Sequence, residues 1–304
     1  MRITGFSALR DIFAGRLGTD NCVRSLIFLR SPSNTKEYLK CIHRITYADE
    51  DISKNEIWRA YPNISGVQRV EPIRKKDLTS SRFMNKQANK LSFDMSRFSE
   101  FLIGYTKVDD NIKPIMLHYS MIYLFDFFSR TWLKYEDNWG HGMSFRHENI
   151  QIEKKGIFQR AIDAFYFLGI PSIFSLDNDS GIINQYNLKE ELIFKEIGKM
   201  KYSDKPNIPL NYIIDIYKQL RMMRKTAGDL ILSNQILVGY VLLFAISSIS
   251  RYRAGDWFKL LKDIEFRNLN DLLHYDFLYE WTPSILQQTI LRRELLRHLS
   301  IESE

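Results

Sequence analysis

A histidine between two glycines is the first candidate for chemistry in this chain. His141 lies in the stretch NWGHGMSF, where Gly140 and Gly142 flank it. Glycine lets a backbone bend sharply, so the imidazole can be held out on a loop. A histidine placed there titrates near neutral pH and could serve acid–base chemistry. The alternative is a helix end with a histidine beside it, and the sequence leaves both interpretations open.

Arginine and histidine also occur at a spacing that suits chemistry on RNA. Six residues separate Arg267 from His274, and four separate Arg293 from His298. In such a pair the histidine would act on the ribose 2′-hydroxyl and the arginine would stabilise the phosphate. A chain rich in arginine is expected to contain about one or two such spacings by chance. The spacing therefore names candidates for catalysis without establishing it.

The segment from Ile115 to Tyr135 predicts a long central helix, because it is rich in aromatic residues and contains no glycine or proline. Asp126 and Arg130 are four residues apart, so their side chains can form an ion pair on a helix that is otherwise buried. Arg130 is also a candidate catalytic residue, and Tyr119 is a candidate binding residue.

A second apolar segment predicts a helix buried in the protein core. It runs from Ile236 to Ile249, a length of 14 residues. A helix needs about 20 apolar residues to cross a bilayer. The short run favours a core helix of a water-soluble bundle over a membrane span, so we expect no membrane partner.

Charged and aromatic residues follow this apolar helix, and two interpretations of them stay open. In the structural one, arginines stabilise the carbonyl end of the helix, Gly255 caps it, and Asp256 caps the next helix. In the functional one, Arg251 binds a phosphate in a pocket that it shares with His141 and Tyr119. The candidate binding residues are then Tyr119, Arg251, Arg253 and Trp257.

Composition favours helices over strands. The chain has 304 residues with 45% hydrophobic residues, but only 14 Gly and 8 Pro, which all-β folds use in their turns. We predict a mainly α fold, a compact helical bundle with a small β-hairpin insertion. The hairpin is predicted within residues 150–167, with its turn at Lys155-Gly156. We predict a single helical domain over residues 1–304, with possible lobes 1–110 and 111–304.

Several classes of site are excluded by what the sequence lacks. Two cysteines, Cys22 and Cys41, cannot form a disulfide framework or supply four zinc thiolates. The phosphate-binding motifs GxGxxG and GxxxxGK[ST] and the zinc motif HExxH do not occur. We therefore expect no metal and no cofactor. The few cysteines and the lack of a secretory signal indicate a cytoplasmic location.

The charge balance permits an anionic partner. The formal net charge is +7 and the isoelectric point is about 9.2. Two stretches are enriched in Lys and Arg, at residues 66–90 and 199–225. The first is interpreted as a solvated loop or as a phosphate-binding surface, and the second is predicted to contain a helix from Leu210 on.

The order of several blocks resembles the YaaC-like family of bacterial and archaeal proteins. The resemblance covers residues 23–295, although this chain has Arg253-Ala254-Gly255 where the family tends to have a proline after its Arg-Tyr pair. The family has no settled activity, so the resemblance implies a fold and not a reaction. The blocks are RSLIFLRSPSNTKEYL, LHYSMIYLFDFFSRTWLK, HGM, IQIEKKGIF, LLFAISSISRYRAGDWFKLL and WTPSILQQTIL.

Residues 118–142 also resemble HEPN-type helical proteins, many of which are RNases. The function expected from these observations is a nucleic-acid-associated cytoplasmic protein that binds RNA. One alternative is a non-catalytic helical scaffold that binds a protein partner or forms a homodimer. A third is an HEPN-type RNase that uses His141 or His274. A basic groove would favour the first, and a large exposed apolar patch would favour the second.

Overall fold

The computed structural model describes residues 26–48, 71–73, 75–134, 140–152, 156–167, 172–174, 208–223 and 229–290. Most of these residues are helical, and the strands form one antiparallel pair and one three-stranded antiparallel sheet. The prediction of a mainly α fold with a small β insertion is confirmed. Cys22, the Arg293–His298 pair and parts of both basic stretches lie outside the described residues.

The helices and strands are numbered here in chain order. They are α1 (Pro32–Ala48), β1 (Glu71–Pro72), α2 (Lys75–Leu78), α3 (Ser81–Tyr105), α4 (Lys113–Trp132), β2 (Leu133–Lys134), β3 (Met143–Arg146), β4 (Asn149–Ile152), α5 (Gly156–Phe167), β5 (Ile208–Pro209), α6 (Leu210–Met223), α7 (Asp229–Tyr252), α8 (Ala254–Leu260), α9 (Ile264–Asp276), a π-helical turn (Phe277–Trp281) and α10 (Thr282–Ile290).

The chain divides into two compact units. Unit 1 contains the described residues up to Lys134 together with residues 258–290, and unit 2 contains those from 140 to Trp257. The division at 110/111 suggested by the sequence falls between α3 and α4, which pack along each other inside unit 1.

Helix α3 shows that part of the first basic stretch is helical. Its N-terminal end is capped by the Ser80 hydroxyl, which accepts a hydrogen bond from the Phe83 amide at 3.3 Å. Interpreting residues 66–90 as a loop is therefore wrong for residues 81–90. The buried positions already recur with helical spacing from Met84 onward, and this apolar pattern outweighs the dense positive charge.

Pro283 lies inside a continuous helical segment of unit 1. The π-helical turn directly precedes α10, and the Thr282 amide donates to the Phe277 carbonyl five residues back. A proline has no amide hydrogen and clashes with the carbonyl four residues earlier in a regular helix. The wider turn accommodates this proline, so the chain continues without a break.

In unit 2, α7 confirms the prediction of a buried apolar helix. Its side chains from Ser233 to Ile249 are all buried, and α6 packs against it. Among the described helices, the part of α7 from Ile231 to Tyr252 is long and apolar enough to cross a membrane, but 94% of its most apolar window is buried inside the protein. Such burial is typical of a core helix, so length and composition do not place α7 in a bilayer.

The β-hairpin exists, but the predicted position is wrong. It consists of β3 and β4, and its turn is His147-Glu148, with φ angles of 46° and 62°. Two consecutive positive φ angles match the twist of a tight hairpin. The residues predicted as the second strand form α5 instead, because the apolar positions from Ile157 to Phe165 recur with helical spacing.

Gly156 joins this hairpin to α5 and fixes the loop that carries His141. Its φ is +76°, and a Cβ atom there would lie 2.4 Å from the Gly140 carbonyl oxygen. The same carbonyl accepts a hydrogen bond from the Ile157 amide at 2.9 Å, and the His141 carbonyl accepts one from Phe158 at 3.3 Å. The first turn of α5 therefore holds the His141 loop through its backbone.

Replacing Gly156 by alanine should destabilise unit 2. The left-handed backbone and the contact with a fixed carbonyl should together cost at least about 2 kcal/mol of unfolding free energy. Urea unfolding of the Gly156→Ala variant measures this cost. Gly140→Ala is the matched control, since a Cβ at Gly140 meets nothing within 4 Å. Equal stability of the two variants would contradict the close approach described here.

Candidate nucleic-acid interface

One side of α3 carries cations and aromatic rings at intervals of three or four residues. Side chains at this spacing lie on the same side of a helix. Six side chains form this set, of which four are exposed and two are half-buried. Between the first and the last of them the helix rises about 28 Å. We call this set the basic–aromatic face; its members are Arg82, Lys86, Lys90, Phe93, Arg97 and Phe101.

The core side of α3 determines that the basic–aromatic face points outward. Leu91, Met95, Phe98 and Leu102 recur at helical spacing and are all fully buried. Burial of such an apolar side stabilises the helix by about 1.5–3 kcal/mol for each large side chain. The charged side of α3 must therefore remain at the surface.

The two aromatic rings of this face contact two rings of α4, and the four rings form one row. Phe93 meets Tyr123 edge-on, with ring centroids 6.1 Å apart. Tyr123 stacks on Phe101 at 5.7 Å, and Phe101 stacks on Tyr119 at 5.2 Å. Phe93 is 44% exposed and the other three rings are half-buried. We call these four residues the ring row; it gives a partly exposed surface on which planar ligands can stack.

Arg97 links the charges of this face to its rings. Its guanidinium lies over the Phe93 ring, 5.2 Å from the centroid, and it pairs with Glu100 at 2.9 Å. On the flank of α3, Lys36 of α1 donates to the Asn85 side chain at 2.9 Å. Arg97 thus lies at the ring row and further cations extend along α3, an arrangement that attracts the phosphates of a nucleic acid.

Arg130 lies beneath this surface in a buried ion cluster. Its Nε is 3.1 Å from Asp94 of α3, and its Nη2 is 3.8 Å from Asp126 on its own helix. The predicted pair of Asp126 and Arg130 is present, but Asp94 is the closer partner and the sequence analysis missed it. The one signal for Asp94 was a charged residue between the apolar positions Leu91 and Met95. All three side chains are buried, which leaves Arg130 little exposed surface for a ligand.

In unit 2, His141 lies close to Arg251. Burial lowers the pKa of His141, and the positive charge of Arg251 lowers it further. The imidazole is half-buried and lies 5.9 Å from the Phe244 ring. The Arg251 Nε donates to the Ser247 carbonyl at 3.2 Å, as a cation at a helix carbonyl end can. Tyr119, the third member of the predicted phosphate pocket, belongs to unit 1.

The end of α7 differs in detail from the prediction. Gly255 does not cap this helix, because it lies inside α8, which begins at Ala254 directly after Arg253. Asp256 lies in the first turn of α8 and pairs with Arg253 at 2.7 Å. Trp257 is only 2% exposed, so its ring offers no face to a ligand. Arg253 is already partly neutralised by its partner.

The Arg267–His274 pair occupies α9, where the two side chains have different environments. Arg267 is exposed, whereas His274 is buried beside Tyr105. The Tyr105 hydroxyl and the His274 Nδ1 are 3.4 Å apart. An arginine at the surface and a buried histidine do not form the phosphate site that the spacing suggested.

A cation and an anion complete the surroundings of His274. Lys113 pairs with Asp110 at 2.6 Å, and its ammonium lies 5.7 Å from the Tyr105 ring centroid. Burial, and then the charge of Lys113, lowers the pKa of His274 to about 4. Burial, and then the charge of Asp110, raises the pKa of Tyr105 to about 12. His274 is therefore neutral and Tyr105 protonated at neutral pH.

Comparison with known proteins adds no assignment. A scan against protein-family models, a search of curated proteins and a search of solved structures each found no match for this chain. The YaaC-like and HEPN-like resemblances stay predictions. The described residues contain no group of three His, Cys, Asp or Glu side chains that could hold a metal ion.

Acid should destabilise unit 1 through His274. The folded-state pKa of about 4 lies below the ordinary value of 6.5, so the unfolded chain binds the proton first. Stability is fully present above pH 6.5 and is lost as the pH falls towards 4, by on the order of 3 kcal/mol. Urea unfolding at about pH 7.5 and about pH 4.5 measures the loss. Between these two pH values, His274→Gln should lose about 3 kcal/mol less unfolding free energy than the unchanged protein. His147→Gln, at an exposed histidine, should lose as much as the unchanged protein. An identical loss in all three proteins would show that His274 does not titrate in this way.

Proposed function

We propose that this protein binds single-stranded RNA on the basic–aromatic face, with bases stacked on the ring row. The observation that carries the proposal is the row of four neighbouring rings on the outer side of α3 and α4, beside Arg97. Cations extend from it along α3 for several turns. Stacking surfaces beside a track of positive charge are the usual means of holding a single strand.

The rings favour a single strand over a duplex. A base exposes its flat face to a protein only when it is unstacked from its neighbours. Stacking on an aromatic side chain contributes about 1–3 kcal/mol for each base and tolerates any sequence. The choice of RNA rests on the HEPN-like resemblance of residues 118–142, the segment that supplies Tyr119 and Tyr123.

Positive charge on the face predicts how binding depends on salt. Each phosphate neutralised by a lysine or arginine releases counterions, and for single strands the logarithm of the affinity falls by about 0.7 per neutralised phosphate for each tenfold rise in salt. If the four cations of the face all contact phosphates, the slope is about −3.

Two substitutions should separate stacking from charge. Phe93→Ala removes one ring of the row and should weaken binding by about tenfold at every salt concentration. Arg97→Met removes a cation and should weaken binding while making the salt slope shallower by about 0.7. Fluorescence anisotropy of a labelled single-stranded RNA, measured over a series of KCl concentrations, gives both quantities.

The control variants remove the same kinds of side chain, a ring and a cation, at positions outside the basic–aromatic face. Tyr275→Ala removes an exposed ring of α9, and Arg146→Met removes an exposed cation of the hairpin in unit 2. Neither should change the affinity by more than about twofold. Loss of binding in Arg251→Met with unchanged binding in Arg97→Met and Phe93→Ala would overturn the proposal and place the interface at the His141 loop.

The other two functions have less support among the described residues. The exposed large apolar side chains come from separate segments of the chain, so no single helix presents a broad apolar surface for a protein partner. They are Ile27, Phe93, Ile112, Met222, Tyr252, Phe258, Ile264 and Tyr275. An RNase that uses His274 would need Arg267 and His274 to act on one phosphate, and their different burial opposes this.

A further inference from the structure

Two neighbouring polar atoms in unit 1 are buried without a hydrogen-bond partner. They are the Asn270 Oδ1 and the His274 Nε2, in side chains that are 7% and 8% exposed. Neither atom has a partner among the residues that the structure describes. The two residues are one turn apart on α9, so their side chains lie on the same side of that helix. Leaving buried polar atoms unpaired is unfavourable, so a group that offers them hydrogen-bond partners would be bound there.

The protonation state of His274 determines what these atoms can bind. A neutral imidazole has one nitrogen that donates and one that accepts. When the Tyr105 hydroxyl donates to Nδ1, the proton of the ring is on Nε2. His274 then presents a donor and Asn270 presents an acceptor. Their complement is a group with an acceptor beside a donor, as on the Watson–Crick edge of each nucleobase.

Tyr105 lies between these atoms and the ring row. It follows Phe101 by one turn of α3, and its half-buried ring meets the His274 ring edge-on at 5.6 Å. The hydroxyl contact with Nδ1 is 3.4 Å long, near the limit for a hydrogen bond, and keeping it holds the ring proton of His274 on Nε2. Lys113 lies beside the Tyr105 ring, with its ammonium paired with Asp110.

We propose that one base at an end of the bound strand enters beneath Tyr105 and forms hydrogen bonds with the Asn270 Oδ1 and the His274 Nε2. This inference rests on the proposed RNA binding and adds a site that reads a base edge. Stacking on the ring row contacts the flat face of any base, whereas the paired hydrogen bonds contact the edge of the one base at this position.

The experiment compares oligonucleotides that lack a single base. Single-stranded RNAs of one sequence carry an abasic nucleotide at the 5′ end, at the 3′ end or in the middle. With the unchanged protein, an abasic nucleotide at one end but not at the other should weaken binding by about tenfold, as expected for a bidentate base contact. With Asn270→Leu this end effect should fall below about twofold, while the loss caused by Phe93→Ala is retained.

Folding is checked separately. Asn270→Leu removes a buried acceptor that has no partner, so its melting temperature should equal or exceed that of the unchanged protein. Asn268→Leu is the matched control, because Asn268 is an exposed asparagine on the same helix. That variant should keep the full end effect.

The outcomes distinguish this inference from the proposed function. If the unchanged protein binds RNA with no end effect, or if Asn270→Leu keeps the effect, a buried water satisfies the two atoms and the base site is overturned. The RNA-binding proposal then stands on the response to Phe93→Ala and Arg97→Met. If no RNA binds, both proposals are overturned.

Discussion

The packing of α3 against α4 is the contact on which unit 1 depends. Buried side chains such as Leu91 and Phe98 restrict the core-facing part of α3 to one side. Helix α4 is buried around much of its circumference. The opposite side of α3 therefore lies at the surface, and so do its charged side chains. The same contact sets Phe101 against Tyr119 and so assembles rings from two helices into one row. The candidate interface is thus a consequence of how the core is filled.

An ion cluster inside this contact fixes the alignment of the two helices. Asp94 comes from α3, and Asp126 and Arg130 come from α4. A buried ion pair contributes little net stability, but leaving one of its charges unpaired costs about 3–5 kcal/mol. We infer that a slip of one helix along the other is disfavoured by this cost, because it would separate Arg130 from Asp94. Each ring of the row then meets the same partner in every molecule, which a stacking surface requires.

The spacing of apolar residues predicted where these helices lie, but it did not predict how the charged residues are placed and paired. The buried helix over Ile236–Ile249 and the central helix from Ile115 were visible in the sequence, because burial repeats with the helical period. Dense charge suggested a loop at residues 66–90, since the apolar positions there are weak ones such as Gln87 and Ala88. Asp94 could not be paired with Arg130, since 36 positions of sequence separate residues that only tertiary packing brings together. For the same reason the ring row, formed by two helices, had no signature in either one alone.

Photochemical crosslinking tests the central claim most directly. Ultraviolet light joins bases to the aromatic side chains on which they stack, and mass spectrometry of the digested protein identifies the joined peptide. After irradiation with single-stranded RNA, the account predicts crosslinks in the peptides that contain Phe93, Phe101, Tyr119 or Tyr123, the rings that form the row. Crosslinks confined to the peptides that contain His141 or Tyr252 would contradict it, because those residues belong to unit 2.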